Sequence, residues 1–195
     1  MKGIAWTNGN YLRLLENGEA FFPAVLEAID GASREVLLET FILAEDGVGK
    51  RLCEALAAAA RRGVRVVAVV DGYGTAQLSP QFRERLIGAG VALRWFDPRP
   101  RLLGLRTNLF RRLHRKLVVV DGEVAFVGGI NFSDEHLRQY GSMSKQDYAV
   151  ELRGPVVDQV RRASAGAEGE LVEQRRGLGW WRTLRAAFAP DAGTG

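Results

Sequence analysis

A chain of 195 residues with 47% hydrophobic side chains is long enough to bury one sizeable core, and its single cysteine, Cys53, excludes an intrachain disulfide and a cysteine-based metal cluster. No apolar run approaches the roughly 20 residues that a membrane-spanning helix needs, and no basic-plus-apolar leader opens the chain. The formal net charge is +4, yet seven cationic residues and no acidic one fall between Pro98 and Lys116, which leaves the remainder mildly acidic.

In chain order, Tyr11 to Leu15 reads as a short strand closed by Asn17-Gly18, and Glu19 to Ile29 as a helix with Phe22, Val25, Leu26 and Ile29 at core spacing. Glu35 to Ile42 reads as a buried strand that carries one carboxylate, Glu39, among apolar neighbours. A buried carboxylate needs a partner, so Glu39 is either half of an ion pair inside the sheet or a supporting group near a site. Gly49 to Arg62 reads as a helix capped by Gly63, with Cys53 inward beside Leu52 and Leu56, and Val64 to Asp71 as a β-branched strand. Strand, helix and strand with such short connections make a βαβ unit and a parallel pair. Ser79-Pro80 starts a helix that Gly88 and Gly90 end, and Val91 to Phe96 is the next strand. Gln146 to Leu152 is a late strand, after which Gly154-Pro155 turns the chain into a last helix. The fold class is α/β: a mixed sheet flanked by helices.

Between these lies the most informative stretch, Arg111 to Asn131. Asp121-Gly122 between two apolar runs is a strong hairpin signal, because a type I′ turn needs positive φ at both central residues. A two-residue loop would set 120 opposite 123, 116 opposite 127, and His114 opposite Gly129. His114 and Lys116 then project from one face, and regular alternation adds Asn131. Gly128 and Gly129 leave room for a ligand beside the imidazole. An imidazole, an ammonium and a carboxamide converging in this way suit an anion.

The basic run beside the hairpin is either a solvated loop or a surface for a phosphate-bearing partner. Leu102, Leu103, Leu105, Leu109 and Phe110 interleave with its arginines, which favours a membrane surface over a nucleic-acid groove. Two nucleotide-binding patterns fail: Gly49-Lys50 lacks the first P-loop glycine, which is Ala44, and Gly72-Tyr73-Gly74 has Gln77 in place of a third glycine. With two histidines in all, His114 and His136, an all-histidine metal site is excluded, so no metal and no cofactor is expected. His136 falls in a short helix after the hairpin, where a surface or capping role is expected, and Asp134 and Glu135 read as helix N-terminal charges.

His114, Lys116 and Asp121 are spaced as H-x-K-x4-D and are followed by Gly128-Gly129-Ile130-Asn131. This resembles the phospholipase D superfamily and its HKD motif. LLENGE, LETFI, DGYG, DPRPRL, RTNLFRR, HRKLVVVDG, FVGGIN and KQDYAVELRGP extend the resemblance, over roughly residues 8 to 160, to the N-terminal half of bacterial cardiolipin synthases of the B type. The resemblance implies one HKD domain over 1–160, an α/β/α sandwich, with a basic, aromatic tail over 161–195 that links to a second half. It implies that His114 attacks a phosphodiester to give a phosphohistidine, and that Lys116 and Asn131 hold phosphate oxygens beside Gly129. Asp147 matches an acidic residue that orients the histidine. Asp121 completes the motif, although the turn alone accounts for an aspartate before glycine. Glu39 is kept as a supporting residue.

The family uses two such motifs, one histidine attacking and the other protonating the leaving alkoxide, and this chain carries one. A second HKD half or a homodimer partner would complete the site. The implied activity is phosphatidyl transfer from phosphatidylglycerol to a second phospholipid, forming cardiolipin at the cytoplasmic face of a bacterial inner membrane, peripherally bound to anionic phospholipids. The alternatives are a homodimeric phosphodiesterase or nuclease using the same site, and a silent anionic-lipid-binding module. In the tail, Trp181, Leu184 and Phe188 among arginines suit either a lipid interface or packing against the other half.

Overall fold

The computed structural model describes residues 6–75, 78–96 and 113–164, together with the backbone of 101–102 and 105–106. The elements are β1 (Tyr11–Glu16), α1 (Asn17–Asp30), β2 (Glu35–Thr40), α2 (Gly47–Arg61), β3 (Arg65–Asp71), α3 (Pro80–Gly88), β4 (Ala92–Phe96), β5 (Arg101–Leu102), β6 (Leu105–Arg106), β7 (Leu117–Val120), β8 (Val124–Gly128) and β9 (Tyr148–Arg153). Seven strands form one sheet in the order β1-β9-β8-β7-β2-β3-β4. β2, β3 and β4 are parallel, as the β-α-β connections require, and the other pairings are antiparallel. The expected strands and helices are all found, most within a residue or two of their expected limits, the last helix starting at Val156 and being described as far as residue 164.

Alternation along the strands gives the sheet two buried faces. Val36 and Leu38 of β2, Val66, Ala68 and Val70 of β3, and Val118 and Val120 of β7 join the helices in the main core. Leu37, Glu39, Val67, Val69, Leu117 and Val119 point the other way and are also buried. In the main core Phe21 and Phe22 of α1 meet Phe132, with ring centroids 5.6 and 6.0 Å apart, and Phe21 meets Phe126 at 6.2 Å. Burying an aromatic ring contributes about 1.5–3 kcal/mol, so the residue that follows Asn131 is firmly anchored. Asp46 caps α2 by accepting from the Gly49 amide, and the Asp134 carboxylate accepts from the Gly47 and Val48 amides of the same helix. Asp134 is thus a helix N-terminal charge, but for α2 and not for its own turn. This ties the chain after Asn131 to a second rigid element.

The hairpin differs from expectation in one respect. Asp121 and Gly122 do take positive φ, 55° and 69°, and the Glu123 amide bonds the Val120 carbonyl. The ladder, however, pairs Val120 with Val124 and Leu117 with Val127, one residue out of the expected register. The turn is held from outside, because the Asp121 amide donates to the Glu35 carbonyl and its carboxylate accepts from β2 and the residues before it. His114 therefore does not pair with Gly129. It precedes the start of β7, and the Gly128 amide bonds the Lys116 carbonyl instead. The basic run before Leu113, apart from the backbone of β5 and β6, and the tail from residue 165 lie outside the described residues.

Candidate active site

Five strands end at one place. The carboxyl ends of β1, β2 and β8 and the amino ends of β7 and β9 supply Asn17, Phe41, Gly129, Asn131, His114, Lys116 and Asp147. Strand ends are where side chains and unpaired backbone can meet a ligand without disturbing the sheet.

His114 is solvent-exposed, and its imidazole stacks on Phe41 with ring centroids 5.2 Å apart and planes at 29°. The Lys116 ammonium lies 5.5 Å from the same ring centre and 3.3 Å from the His114 carbonyl oxygen. Burial lowers the Lys116 pKa, and the negative charge of Asp147 acts against that shift. Asn131 is fixed at two points: its Oδ1 accepts from the Ile42 amide at 3.2 Å, and its own amide donates to His136 Nε2 at 3.2 Å. With Oδ1 engaged, the carboxamide has its NH₂ left to offer, which is the donor that an anion requires.

Asp147 stands against Gly129 so closely that a Cβ there would overlap its carboxylate. The glycine lets the carboxylate come this close, and positive φ plays no part. Asn17, at φ 55°, bonds both main-chain groups of Asp147: its amide donates to the Asp147 carbonyl, and its Oδ1 accepts from the Asp147 amide at 2.8 Å. Glu39 is wholly buried, and Arg115 Nε sits 3.0 Å from its carboxylate. The ion pair, one of the two expected roles, is observed, and it secures the residue between His114 and Lys116.

Asp121 is not part of this cluster. It lies at the far end of β7, five residues beyond Lys116, or about 16 Å at strand rise. Its carboxylate accepts from the amides of Ser33, Arg34 and Glu35 and from the Ser33 hydroxyl at 2.8–2.9 Å. Placing it with the catalytic groups is therefore corrected: the aspartate holds the hairpin tip to the start of β2. For His136, expected in a surface or capping role, the surface alternative is corrected too. It is 2% exposed, not a surface residue, and burial holds its pKa below the ordinary value.

A family model described as the cardiolipin synthase, phospholipase D-like domain matches residues 25–160. The chain belongs to this family. Within it, cardiolipin synthase B of Salmonella typhi is 53% identical over 177 residues, covering 91% of this chain and 42% of the relative. Cardiolipin synthase B of Escherichia coli is 51% identical with the same coverage, and cardiolipin synthase A of Pseudomonas aeruginosa is 40% identical over 76% of this chain and 30% of the relative. The chain thus spans about 42% of the length of the B-type relatives. Among solved structures, the phospholipase D family member Nuc of Salmonella typhimurium superimposes with a TM-score of 0.61 at 19% identity, covering 81% of this chain and 93% of Nuc. NucT of Helicobacter pylori gives 0.61 at 11%, covering 85% and 97%. Both show the same fold.

Three supporting residues in this cardiolipin synthase-family domain escaped the sequence reading. Phe41 looked like one more apolar residue of a buried strand, and Asn17 like turn punctuation. His136 looked like a surface or capping histidine. Only the Asn-Gly dipeptide at 17 and 18 carried a local signal, since Asn tolerates the left-handed region.

Proposed function

We propose that this chain is the nucleophile-bearing domain of a cardiolipin-forming phosphatidyltransferase. The observation that carries the reading is the convergence of His114, Lys116 and the Asn131 carboxamide at one set of strand ends, in a member of the cardiolipin synthase family. The imidazole of His114 attacks the phosphorus of phosphatidylglycerol, a nitrogen–phosphorus bond forms, and glycerol leaves as its alkoxide and takes up a proton. The hydroxyl of a second glycerol-bearing phospholipid then attacks the phosphohistidine, passing its proton to the group that protonated the glycerol; the nitrogen–phosphorus bond breaks, the imidazole is freed and cardiolipin is formed. Lys116 and the Asn131 NH₂ hold the non-bridging oxygens as charge builds on phosphorus. Asp147 lies on the Lys116 and Gly129 side of the cluster, where its charge favours the protonated form of Lys116; its carboxylate accepts from the Tyr148 amide, and the orienting role that the resemblance implied for it stays an expectation.

The leaving alkoxide needs an acid, which is typically worth about 10² to 10⁴ in rate. The chain has one other histidine, His136, and its Nε2 is buried and engaged by the Asn131 amide. It therefore cannot serve, and the acid comes from a second HKD half or a second copy of the domain. The sheet face away from α1, α2 and α3 supports such a partner: Leu12, Leu14 and Val127 are 63, 66 and 38% exposed there. No helix among the described residues is long and apolar enough to cross a membrane, and the enzyme binds the cytoplasmic face of the inner membrane peripherally, through anionic phospholipids. No group of metal-ligating side chains gathers among the described residues. The reaction as written uses none.

The test is rapid quench after mixing with radiolabelled phosphatidylglycerol, with and without a second-half chain, followed by peptide mapping. Label on His114, absent in His114→Ala, is expected. Label elsewhere, or equal labelling of the variant, would refute the assignment.

A further inference from the structure

The DGYG stretch that failed as a nucleotide fingerprint has no part in the reaction described above, yet its aspartate is one of the most buried charges in the protein. Asp71 ends β3 and is 1% exposed. A carboxylate in that position is costly unless its oxygens are satisfied, and its partners among the described residues are three main-chain amides. Oδ1 accepts from Tyr73 at 2.8 Å and Gly74 at 2.9 Å, which folds the turn after the strand. Oδ2 accepts from Leu113 at 2.8 Å, 42 residues away and immediately before His114.

The same turn reaches His114 by a second route. The Thr75 amide bonds the Asp71 carbonyl at 3.0 Å, and the Thr75 hydroxyl donates to the Phe41 carbonyl at 3.1 Å while accepting from the Leu43 amide at 3.0 Å. Gly74 packs so closely on the Phe41 carbonyl that a Cβ would overlap it. Phe41 in turn carries the His114 ring. The contacts form a closed circuit from Asp71 through Leu113 to His114, across the stack to Phe41, and back through Thr75 to Asp71. Closed in this way, it fixes the imidazole from its own backbone and from its face, although the side chain is exposed to solvent.

We propose that Asp71 is the positioning residue for His114, setting the imidazole through the Leu113 amide on one side and the Thr75–Phe41 platform on the other. Reactions that depend on a few tenths of an ångström gain from such a strut, and a displacement of about 1 Å can lower the rate roughly 10²-fold. The kinetic arm of the test rests on the reading of His114 as nucleophile. The structural arm does not.

Asp71→Asn is a selective probe. Its carbonyl can keep the Tyr73 and Gly74 amides, but its NH₂ then faces the Leu113 amide, donor against donor, so the strut to His114 is lost while the turn is kept. The protein holds two histidines, so imidazole NMR of the whole chain resolves one reporter and one control. Asp71→Asn is expected to abolish the ring-current shift that Phe41 imposes on His114 and to leave the His136 signals in place. Thr75→Val, which removes the hydroxyl at nearly constant shape, is expected to do the same, and Thr75→Ser to restore the shift. In single-turnover labelling, the rate of phosphohistidine formation should fall about 10²-fold in Asp71→Asn with half-saturation within about twofold of the parent. Unmoved His114 signals in Asp71→Asn, or signals of both histidines moving together, would overturn the proposal. Should Asp71→Asn not fold, the Thr75 pair decides by the same criterion. A parent chain that never forms phosphohistidine while the NMR arm behaves as expected sinks the nucleophile reading and leaves the strut standing.

Discussion

Replacing Asp121 by alanine separates the motif's spelling from its chemistry. The carboxylate accepts four hydrogen bonds, from the amides of Ser33, Arg34 and Glu35 and the Ser33 hydroxyl. Bonds to a charged group contribute about 1.5–3 kcal/mol each when buried, but Ser33 and Arg34 are exposed and would regain water in the variant. The Glu35 bond counts nearly in full and the others in part. Alanine also tolerates the 55° φ less well than aspartate. The expected loss is about 2–4 kcal/mol, or roughly 5–12 °C in Tm for a domain of this size. The sign with pH follows from the pKa. Burial alone would raise it, but the amides of Glu35, Ser33 and Arg34 and the Ser33 hydroxyl outweigh burial and hold it below the ordinary 3.8. The carboxylate's contribution is therefore complete above that value and lost as pH falls through the folded pKa. Guanidinium denaturation from pH 7 to about pH 2 should show parent and variant well separated at neutral pH, with the gap narrowing only below the ordinary 3.8. The His114 signals should not move. Unchanged stability at pH 7, or displaced His114 signals in a stably folded variant, would refute the structural assignment.

Three other substitutions test the remaining supports. A Cβ on Gly128 would overlap backbone, the Tyr148 carbonyl and Ala149 Cα, whereas one on Gly129 would meet the movable Asp147 carboxylate. Gly128→Ala should therefore cost more stability, by about 2 kcal/mol, than Gly129→Ala, and equal Tm values would contradict the packing. Burial depresses the His136 pKa below its ordinary 6.5, against the opposing pull of Glu135 and Asp147. The unfolded chain then binds a proton that the folded one resists, so stability should decline as pH drops below about 6.5. His136→Gln should flatten that part of the profile, and an unchanged slope would exclude His136 as its source. Arg115→Ala leaves the buried Glu39 carboxylate without the guanidinium 3.0 Å away. Removing one partner of a buried pair costs about 3–5 kcal/mol, but Arg115 is 42% exposed, so about 1–3 kcal/mol is expected. Pairing it with Glu39→Gln should recover part of the loss, and strictly additive effects in calorimetry would argue that the two are uncoupled.

The elements were legible because each is written in local terms. Alternation marked the strands, Asp-Gly marked the hairpin, and short β-α-β connections marked the parallel pair. The hairpin register was not, since it depends on residues 33 to 35, which the Asp121 carboxylate captures from more than 80 positions away. The same limit hid the site's supports. Asp71 and Asn17 act by bonding main-chain amides or carbonyls of residues 42 and 130 positions away, and any side chain can sit on such a backbone, so pairing leaves no trace in local pattern. His114, Lys116 and Asn131, the groups of the proposed reaction, needed only their own spacing to be singled out.

That contrast explains how an exposed histidine can be held for chemistry. Burial would immobilise the imidazole but would also close it to any substrate. Here the immobilising contacts are displaced onto neighbours: Leu113 is buried and bonded, Arg115 is paired to a fully buried carboxylate, and Phe41 is a platform fixed through its own carbonyl. The residues on both sides of His114 are restrained, so the ring between them stays open on one face and stacked on the other. An open face is also what a two-histidine reaction needs, because the group that protonates the leaving alkoxide must approach the same phosphorus from the side opposite the attacking nitrogen. With His136 buried beneath Asn131, the reaction proposed above takes that approach from outside this domain.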